Sequence, residues 1–335
     1  MAADKIAILG AGSVGCFIGG CWKVAQLPVT FIGRPKMAAD IAANGLTISD
    51  YSGWRDHLGD IDYRAEPSAL AKAGIILVCV KSGATAQAAA DIAEHGRAGA
   101  LVISFQNGIS NVDVLRNCLA GRFEVARGMV PYNVVYLGSG RFHKSVGGDL
   151  YIDDRPETRA LAARIAGGPA ALRLSDDMLG LAWGKLLINL NNAVSALSGR
   201  TLVEELKERD YRRVFAASMR EGLRLLRQAN IQPATVGGVG PRILPFVIGS
   251  PDWLFRRIFM KKWKIDAKAR SSMSDDLVAG RQTEVDYLNG ELVALADKIG
   301  AAAPVNRAII DLVRRAEAGA GPLSPRELRG AVPGT

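Results

Sequence analysis

An α/β domain with a parallel sheet over residues 1–174, followed by an all-helical domain over residues 175–335, is the fold class this sequence predicts. Three observations predict it. The chain has 335 residues, more than twice the length of a typical single domain. Over the first 120 or so residues, short apolar runs alternate with helical stretches, the pattern of a parallel sheet flanked by helices. From about Ser175 onward the apolar periodicity becomes helical.

The elements follow in order. Strands are predicted at Lys5–Leu9, Val29–Ile32, Ile75–Val80 and Leu101–Phe105, with a helix at Ala84–Glu94. Glu124–Val135 and Asp149–Ile152 read as further strands, with Gly138-Ser139-Gly140 as a turn between them. In the second domain Met178–Leu197 reads as one buried helix, and another spans the region Asp275–Ile299. The segment 231–266 holds Pro233, Gly237, Gly238, Pro241 and Pro245, and reads as a long connection or broken helix, a candidate lid. Pro322, Pro325 and Pro333 mark a loose C-terminal tail.

Composition narrows the class. With 49% hydrophobic and 22% charged residues the chain can bury an ordinary globular core. Its net charge of +9 suits an enzyme whose cofactor and substrate are both anions. A nucleic-acid partner is not expected. Aromatics make up only 6%, and the one dense basic cluster, Arg256-Arg257 with Lys261-Lys262-Trp263-Lys264, reads as a solvated helix face. Cys16, Cys21, Cys79 and Cys118 form no CxxC pair and no metal cluster, so a reduced, cytoplasmic setting is expected and no metal. The apolar run Ile6–Trp22 lacks a basic start and carries regularly spaced glycines, which argues against a signal peptide. No other stretch approaches a membrane span, so no membrane partner is expected.

The chemistry-bearing motif nearest the start is Gly10-Ala11-Gly12-Ser13-Val14-Gly15, after a strand and opening a helix. In a Rossmann turn the first glycine permits the tight bend, the second lets backbone approach a pyrophosphate, and the third lets helix pack on strand. The helix start offers unpaired amide donors to the phosphates. The second strand ends at Gly33-Arg34, where an NAD enzyme usually carries an acid for the ribose 2′-hydroxyl. A cation there, with Lys36 close by, favours a 2′-phosphate and so NADPH. Lys81-Ser82-Gly83 and Gln106-Asn107-Gly108 each follow a strand, the end of an open parallel sheet at which ligands bind.

Within the apolar helix Met178–Leu197, Lys185, Asn189 and Asn192 fall on one stripe, since at about 100° per residue both asparagines lie within roughly 40° of the lysine. Burying a lysine is costly, so the stripe either faces a wet cleft or pairs with a structural carboxylate. Glu284 falls on an apolar face with Leu288, Leu292 and Leu295 and needs a partner, although Glu291 lies on nearly the same side. Ser271-Ser272 stand at a plausible helix start, where they could hold a carboxylate.

Together these residues resemble the ketopantoate reductases (2-dehydropantoate 2-reductases). The likeness is carried by the GAGSVG turn, Val80-Lys81-Ser82, Gln106-Asn107-Gly108, Trp183-Gly184-Lys185-Leu186 with Asn189, Ser271-Ser272-Met273, and Thr283 through Gly290. The resemblance covers nearly the whole chain. It implies a Rossmann domain joined to an all-α domain like the C-terminal domain of 6-phosphogluconate dehydrogenase, acting with NADPH on a small keto acid in pantothenate and coenzyme A synthesis. It implies Lys185 as the acid that protonates the ketone oxygen, and Glu284 as its support and a holder of the substrate. It implies Asn189 for the substrate hydroxyl, Ser272 for its carboxylate, and Lys81 and Asn107 at the nicotinamide end. Where the family often has a second asparagine followed by proline, this chain has Ala193, and Asn192 is the candidate substitute. The cofactor set expected is therefore Gly10, Gly12, Ser13, Val14, Gly15, Arg34, Lys81 and Asn107. Lys81 also counts among the substrate candidates with Asn189, Asn192 and Ser272. A reductase of another small 2-keto acid and a non-catalytic NADP-binding protein are the alternatives, and a homodimer is a candidate assembly.

Overall fold

The structure is a computed structural model that describes residues 5–260 and 269–335. The chain divides into two compact units, Met1–Met178 and Leu179–Thr335.

In the first unit, eight strands form one sheet. They are β1 (Lys5–Leu9), β2 (Val29–Ile32), β5 (Tyr63–Arg64), β6 (Ala73–Val78), β7 (Leu101–Ser104), β8 (Glu124–Met129), β11 (Leu150–Asp153) and β12 (Leu172–Ser175). Their order is β12-β11-β8-β7-β6-β1-β2-β5, parallel except where β11 meets β8. The chain runs outward from β1 to β2 and later returns to lay β6 on the other side of β1. The strand order therefore reverses at β1, where an open α/β sheet forms its binding crevice. Helices α1 (Ser13–Val24), α2 (Pro35–Asn44), α3 (Thr85–His95), α4 (Asn111–Leu119) and α5 (Pro156–Arg164) complete the domain.

A second sheet was not foreseen. β3 (Leu46–Asp50), β4 (Arg55–Leu58), β9 (Val134–Tyr136) and β10 (Arg141–Lys144) pair in the order β4-β3-β10-β9. The stretch read as one strand, Glu124–Val135, is split between the two sheets. Pro131 lies in the break; it has no N–H to continue a ladder. The second sheet also explains why α1 is apolar all round. On one side, a Cβ at Gly15 would lie 2.8 Å from Ile8 and one at Gly19 would lie 2.5 Å from Phe31 of the large sheet. On the other, a Cβ at Gly20 would lie 3.0 Å from Leu46 and Ile48 of the small one. The helix is sandwiched, so its apolar run is core and its glycines are the close approaches.

The second unit is helical: α6 (Met178–Asn189), α7 (Asn191–Ser198), α8 (Leu202–Lys207), α9 (Arg209–Gln228), α10 (Leu244–Ile248), α11 (Asp252–Leu254), α12 (Ser272–Val278), α13 (Asn289–Lys298), α14 (Pro304–Glu317) and α15 (Pro325–Ala331). The single helix expected over Met178–Leu197 is interrupted at Leu190. The interruption is slight, because Leu190 keeps helical angles (φ −58, ψ −24) and its N–H still donates to Leu186 O at 3.0 Å. The helix expected over Asp275–Ile299 does not exist as one piece. It ends at Val278, Gly280 takes the left-handed conformation (φ +62), and α13 starts only at Asn289.

The irregular segment is only partly irregular. It contains α10, α11 and a π-helical turn, Phe255–Met260. Arg212 of α9, fully buried, holds it: the guanidinium donates to Ile248 O and Ser250 O, both at 2.9 Å, and to Leu206 O at 3.0 Å. It also pairs with Asp252 at 2.9 Å and lies over the Phe255 ring. One arginine thus satisfies carbonyls left over at two helix ends. The N-terminal part of the segment lies on α6. Ala234 N donates to Gly180 O at 2.8 Å, and a Cβ at Gly184 would come within 2.1 Å of Ala234 O. Of the basic cluster, Arg256 donates to Lys207 O, while Lys261 to Lys264 lie outside the described residues.

The tail expected to be loose is a docked helix. Pro325 stands in the first turn of α15, where its missing N–H costs nothing, and Ser324 and Glu327 form a capping box. Leu328 is fully buried, Tyr211 donates to Leu323 O at 2.6 Å, and Arg329 pairs with Asp210 at 3.1 Å. Among the described residues no helix is long and apolar enough to cross a membrane.

Candidate active site

The glycine turn stands at the reversal point of the sheet. Gly10 has φ +90, and a Cβ there would lie 2.5 Å from Val80 N, so the position needs glycine twice over. Gly12 faces open space, with nothing within 4 Å of a would-be Cβ. Gly15 packs on β1 as described, and Ser13 and Val14 form the first turn of α1. An open backbone face at the start of a helix with free amide donors fits a dinucleotide pyrophosphate.

Arg34 is the exposed N-cap of α2, directly beyond the end of β2. The turn is fastened to that same strand end, since Gly10 N and Ala11 N both donate to Ile32 O at 2.9 Å. Tyr63 was missed by sequence reasoning. Its hydroxyl donates to Ala11 O at 2.7 Å, its ring stacks on Phe31, and burial raises its pKa while Arg34 acts in the opposite direction. It belongs to a two-residue strand, too short to leave a periodic signal.

The loops after β6 and β7 are joined by a side-chain network. Gln106 Nε2 donates to Thr85 Oγ1 at 2.7 Å, Thr85 donates to Asn111 Oδ1 at 2.7 Å, and Asn111 Nδ2 donates to Ser82 Oγ at 3.0 Å and to Asn107 O. Lys81, exposed, caps the 3₁₀ turn Ser82–Ala84, and Asn107 is half-buried. The network ties these two positions into one rim. Thr85 and Asn111, which hold it together, gave no signal in the sequence beyond being polar.

In the second unit Lys185, Asn189 and Asn192 are half-buried, whereas Leu186, Leu187, Leu190, Asn191 and residues 193–198 are buried. The three polar side chains therefore share the open face of α6 and α7. Burial pushes the Lys185 pKa down to about 8, and the charge of Glu284 acts against that shift. Lys185 and Glu284 are thus brought together, though not as expected. Glu284 lies on no helix face; it precedes the 3₁₀ turn Val285–Tyr287, where it is half-buried. Leu288, Leu292 and Ala296 are buried without it.

Ser271 and Ser272 divide their roles. Ser271 is the N-cap of α12: its Oγ accepts from Ser274 N and donates to Asn192 O, both at 3.1 Å. Ser272 is exposed at the first helical position. The start of α12 is therefore bonded to Asn192, and through it to the Lys185 stripe.

A Rossmann unit with an open glycine turn, and a helical unit in which a half-buried lysine feels the charge of a carboxylate, fit the class of nicotinamide-dinucleotide oxidoreductases. Comparison with known proteins narrows the class. The profile of ketopantoate reductase PanE/ApbA matches residues 6–157, and that of the ketopantoate reductase PanE/ApbA C terminal matches residues 177–317. The chain belongs to the ketopantoate reductase family. It is 27% identical over 320 residues to the 2-dehydropantoate 2-reductase of Halobacterium salinarum, covering 93% of this chain and 99% of that one. The fold is that of the PanE/ApbA family ketopantoate reductase from Ralstonia eutropha (TM-score 0.80, 30% identity, 94% of this chain and 98% of that one). It is also that of a D-mandelate dehydrogenase solved with NADH and anilino(oxo)acetate (TM-score 0.78, 19% identity, 94% and 98%).

Proposed function

We propose that this protein is a cytoplasmic enzyme that reduces 2-dehydropantoate to pantoate with NADPH, as a step of pantothenate and coenzyme A synthesis. The observation that carries this reading is Lys185, a half-buried lysine whose pKa burial lowers to about 8 against the charge of Glu284, on the open face that it shares with Asn189 and Asn192. The glycine turn and Arg34 would hold NADPH, which would supply the hydride. As the ketone carbon is reduced, negative charge builds on its oxygen. The Lys185 ammonium stabilises that charge and then gives its Nζ proton to the oxygen, leaving a neutral amine and a hydroxyl. Burial makes the proton easier to release than from an ordinary lysine, and Glu284 keeps the waiting amine charged. Asn189 and Asn192 hold the substrate hydroxyl, Ser272 its carboxylate, and Lys81 and Asn107 the nicotinamide end.

A second reading, reduction of another small 2-keto acid, is favoured by Ala193 and by the use of Asn192 where the family often has a later asparagine. Initial rates of NADPH oxidation over a panel of 2-keto acids decide between them. 2-Dehydropantoate should give the highest kcat/KM, and NADPH should bind more tightly than NADH. Arg34→Ala should remove that preference, worth roughly 1.5–3 kcal/mol for a charge-assisted phosphate contact. A better keto acid on the panel selects the second reading. Equal affinity for the two cofactors sinks the role given to Arg34.

A further inference from the structure

Asn191 stands between the two half-buried asparagines of the stripe, at the first position of α7. Its own side chain is turned into the core, where Nδ2 donates to Glu205 Oε2 of α8 at 3.0 Å. Glu205 is 0% exposed. The remaining oxygens of the two side chains, Asn191 Oδ1 and Glu205 Oε1, are both enclosed and both lack a hydrogen-bond partner. Two acceptors cannot satisfy each other, and orphaned buried polar atoms are uncommon. A single proton on Oε1 resolves both, because its O–H can donate to Oδ1 while Nδ2 donates to Oε2.

We propose that Glu205 is a neutral carboxylic acid in the folded protein, closing a ring of two hydrogen bonds with Asn191 that positions the α6–α7 junction. Burial supports it, pushing the carboxyl from an ordinary 4.5 up to about 8, with the Asn191 bond offsetting only part of the shift. α8 packs against α7 and α9. α7 presents Asn191. α9 presents Tyr211, a phenol that feels Glu205, carries Arg200 over its ring at 5.7 Å and has its own pKa raised by burial. On α8 itself, Glu204 is turned away to Thr201. Glu205 is a positioning residue: it fixes Asn191, and the backbone on either side carries Asn189 and Asn192. Its kinetic consequence rests on the function proposed above; its protonation does not.

Glutamine is the test residue, since its amide can make the same two hydrogen bonds at every pH. Between pH 4.5 and 8 the folded protein holds a proton that the unfolded chain has released. Stability is therefore lost as pH rises through this window, and the loss levels off above 8. Thermal unfolding of the full chain without ligand should show the Tm of Glu205→Gln gaining on wild type from pH 5 to 8, by about 5 °C or more, and then holding that lead. A difference that stays flat or falls over this range overturns the neutral acid. At pH 7, Glu205→Gln should keep KM for the keto acid within about twofold. Glu205→Ala should raise it roughly fivefold or more, with NADPH affinity unchanged. At pH 9 the wild-type KM should exceed that of Glu205→Gln. The same KM for wild type and Glu205→Gln at pH 9 overturns the positioning role, even if the alanine variant does not fold. If no keto acid is reduced, the proposed function fails, while the unfolding profiles still decide the state of Glu205.

Discussion

Lys185 on α6 and Glu205 on α8 stand on either side of α7 in the chain, and burial moves them in opposite senses toward the same pH, the amine down to about 8 and the acid up to about 8. In the proposed mechanism the protonated form of Lys185 is the useful one, so the sign is simple. kcat/KM for reduction should be level below pH 8 and fall about tenfold per unit above it, as the ammonium is lost. Glu284→Gln removes the charge that holds the amine up, so its profile should bend at a lower pH than wild type. A bend that stays in place would mean that Glu284 does not act through Lys185. Lys185 is legible in the sequence because a charge in an apolar helix needs a reason. Glu284 is legible only as a carboxylate near leucines, and the helix face it was assigned to does not exist. Glu205 leaves no mark, because its burial comes from α7 and α9, which periodicity within α8 cannot show.

At the scale of elements, β1, β2, β6 and β7 of the large sheet are readable because each is a short apolar run bounded by turn residues, whereas β5 (Tyr63–Arg64) and β12 (Leu172–Ser175) are too short or too polar to be read. β1 and β2 fall at the residues expected. The small sheet is not readable. Its strands carry Arg55, Asp56, His57, Arg141, His143 and Lys144, and its two local hairpins, β3–β4 and β9–β10, are joined only by the pairing of β3 with β10, which are distant in the chain. Two helix ends follow local signals rather than apolar periodicity: Gly280 closes α12, and the Ser324–Glu327 box opens α15. The docked α15 makes a definite prediction. Leu328→Ala leaves a cavity against α9 and should cost about 2–5 kcal/mol, read as a lowered Tm in thermal unfolding. An unchanged Tm would return residues 325–331 to the status of a loose tail.

At the scale of the whole molecule, the residues proposed for the chemistry fall in both units. The first carries the glycine turn, Arg34 and the Lys81–Asn107 rim, and the second carries Lys185, Asn189, Asn192, Ser272 and Glu284. A net charge of +9 suits a protein whose two ligands are anions. Loss of the proposed proton donor should therefore separate binding from chemistry, since the groups expected to hold the dinucleotide are untouched by a change in α6. The most direct measurement is the turnover of 2-dehydropantoate with NADPH by Lys185→Met beside wild type, with NADPH affinity measured on both. Methionine fills the same space without a proton to give. The account predicts unchanged NADPH binding and a kcat lower by about 10² to 10⁴. A Lys185→Met protein that turns over within about threefold of wild type would contradict it.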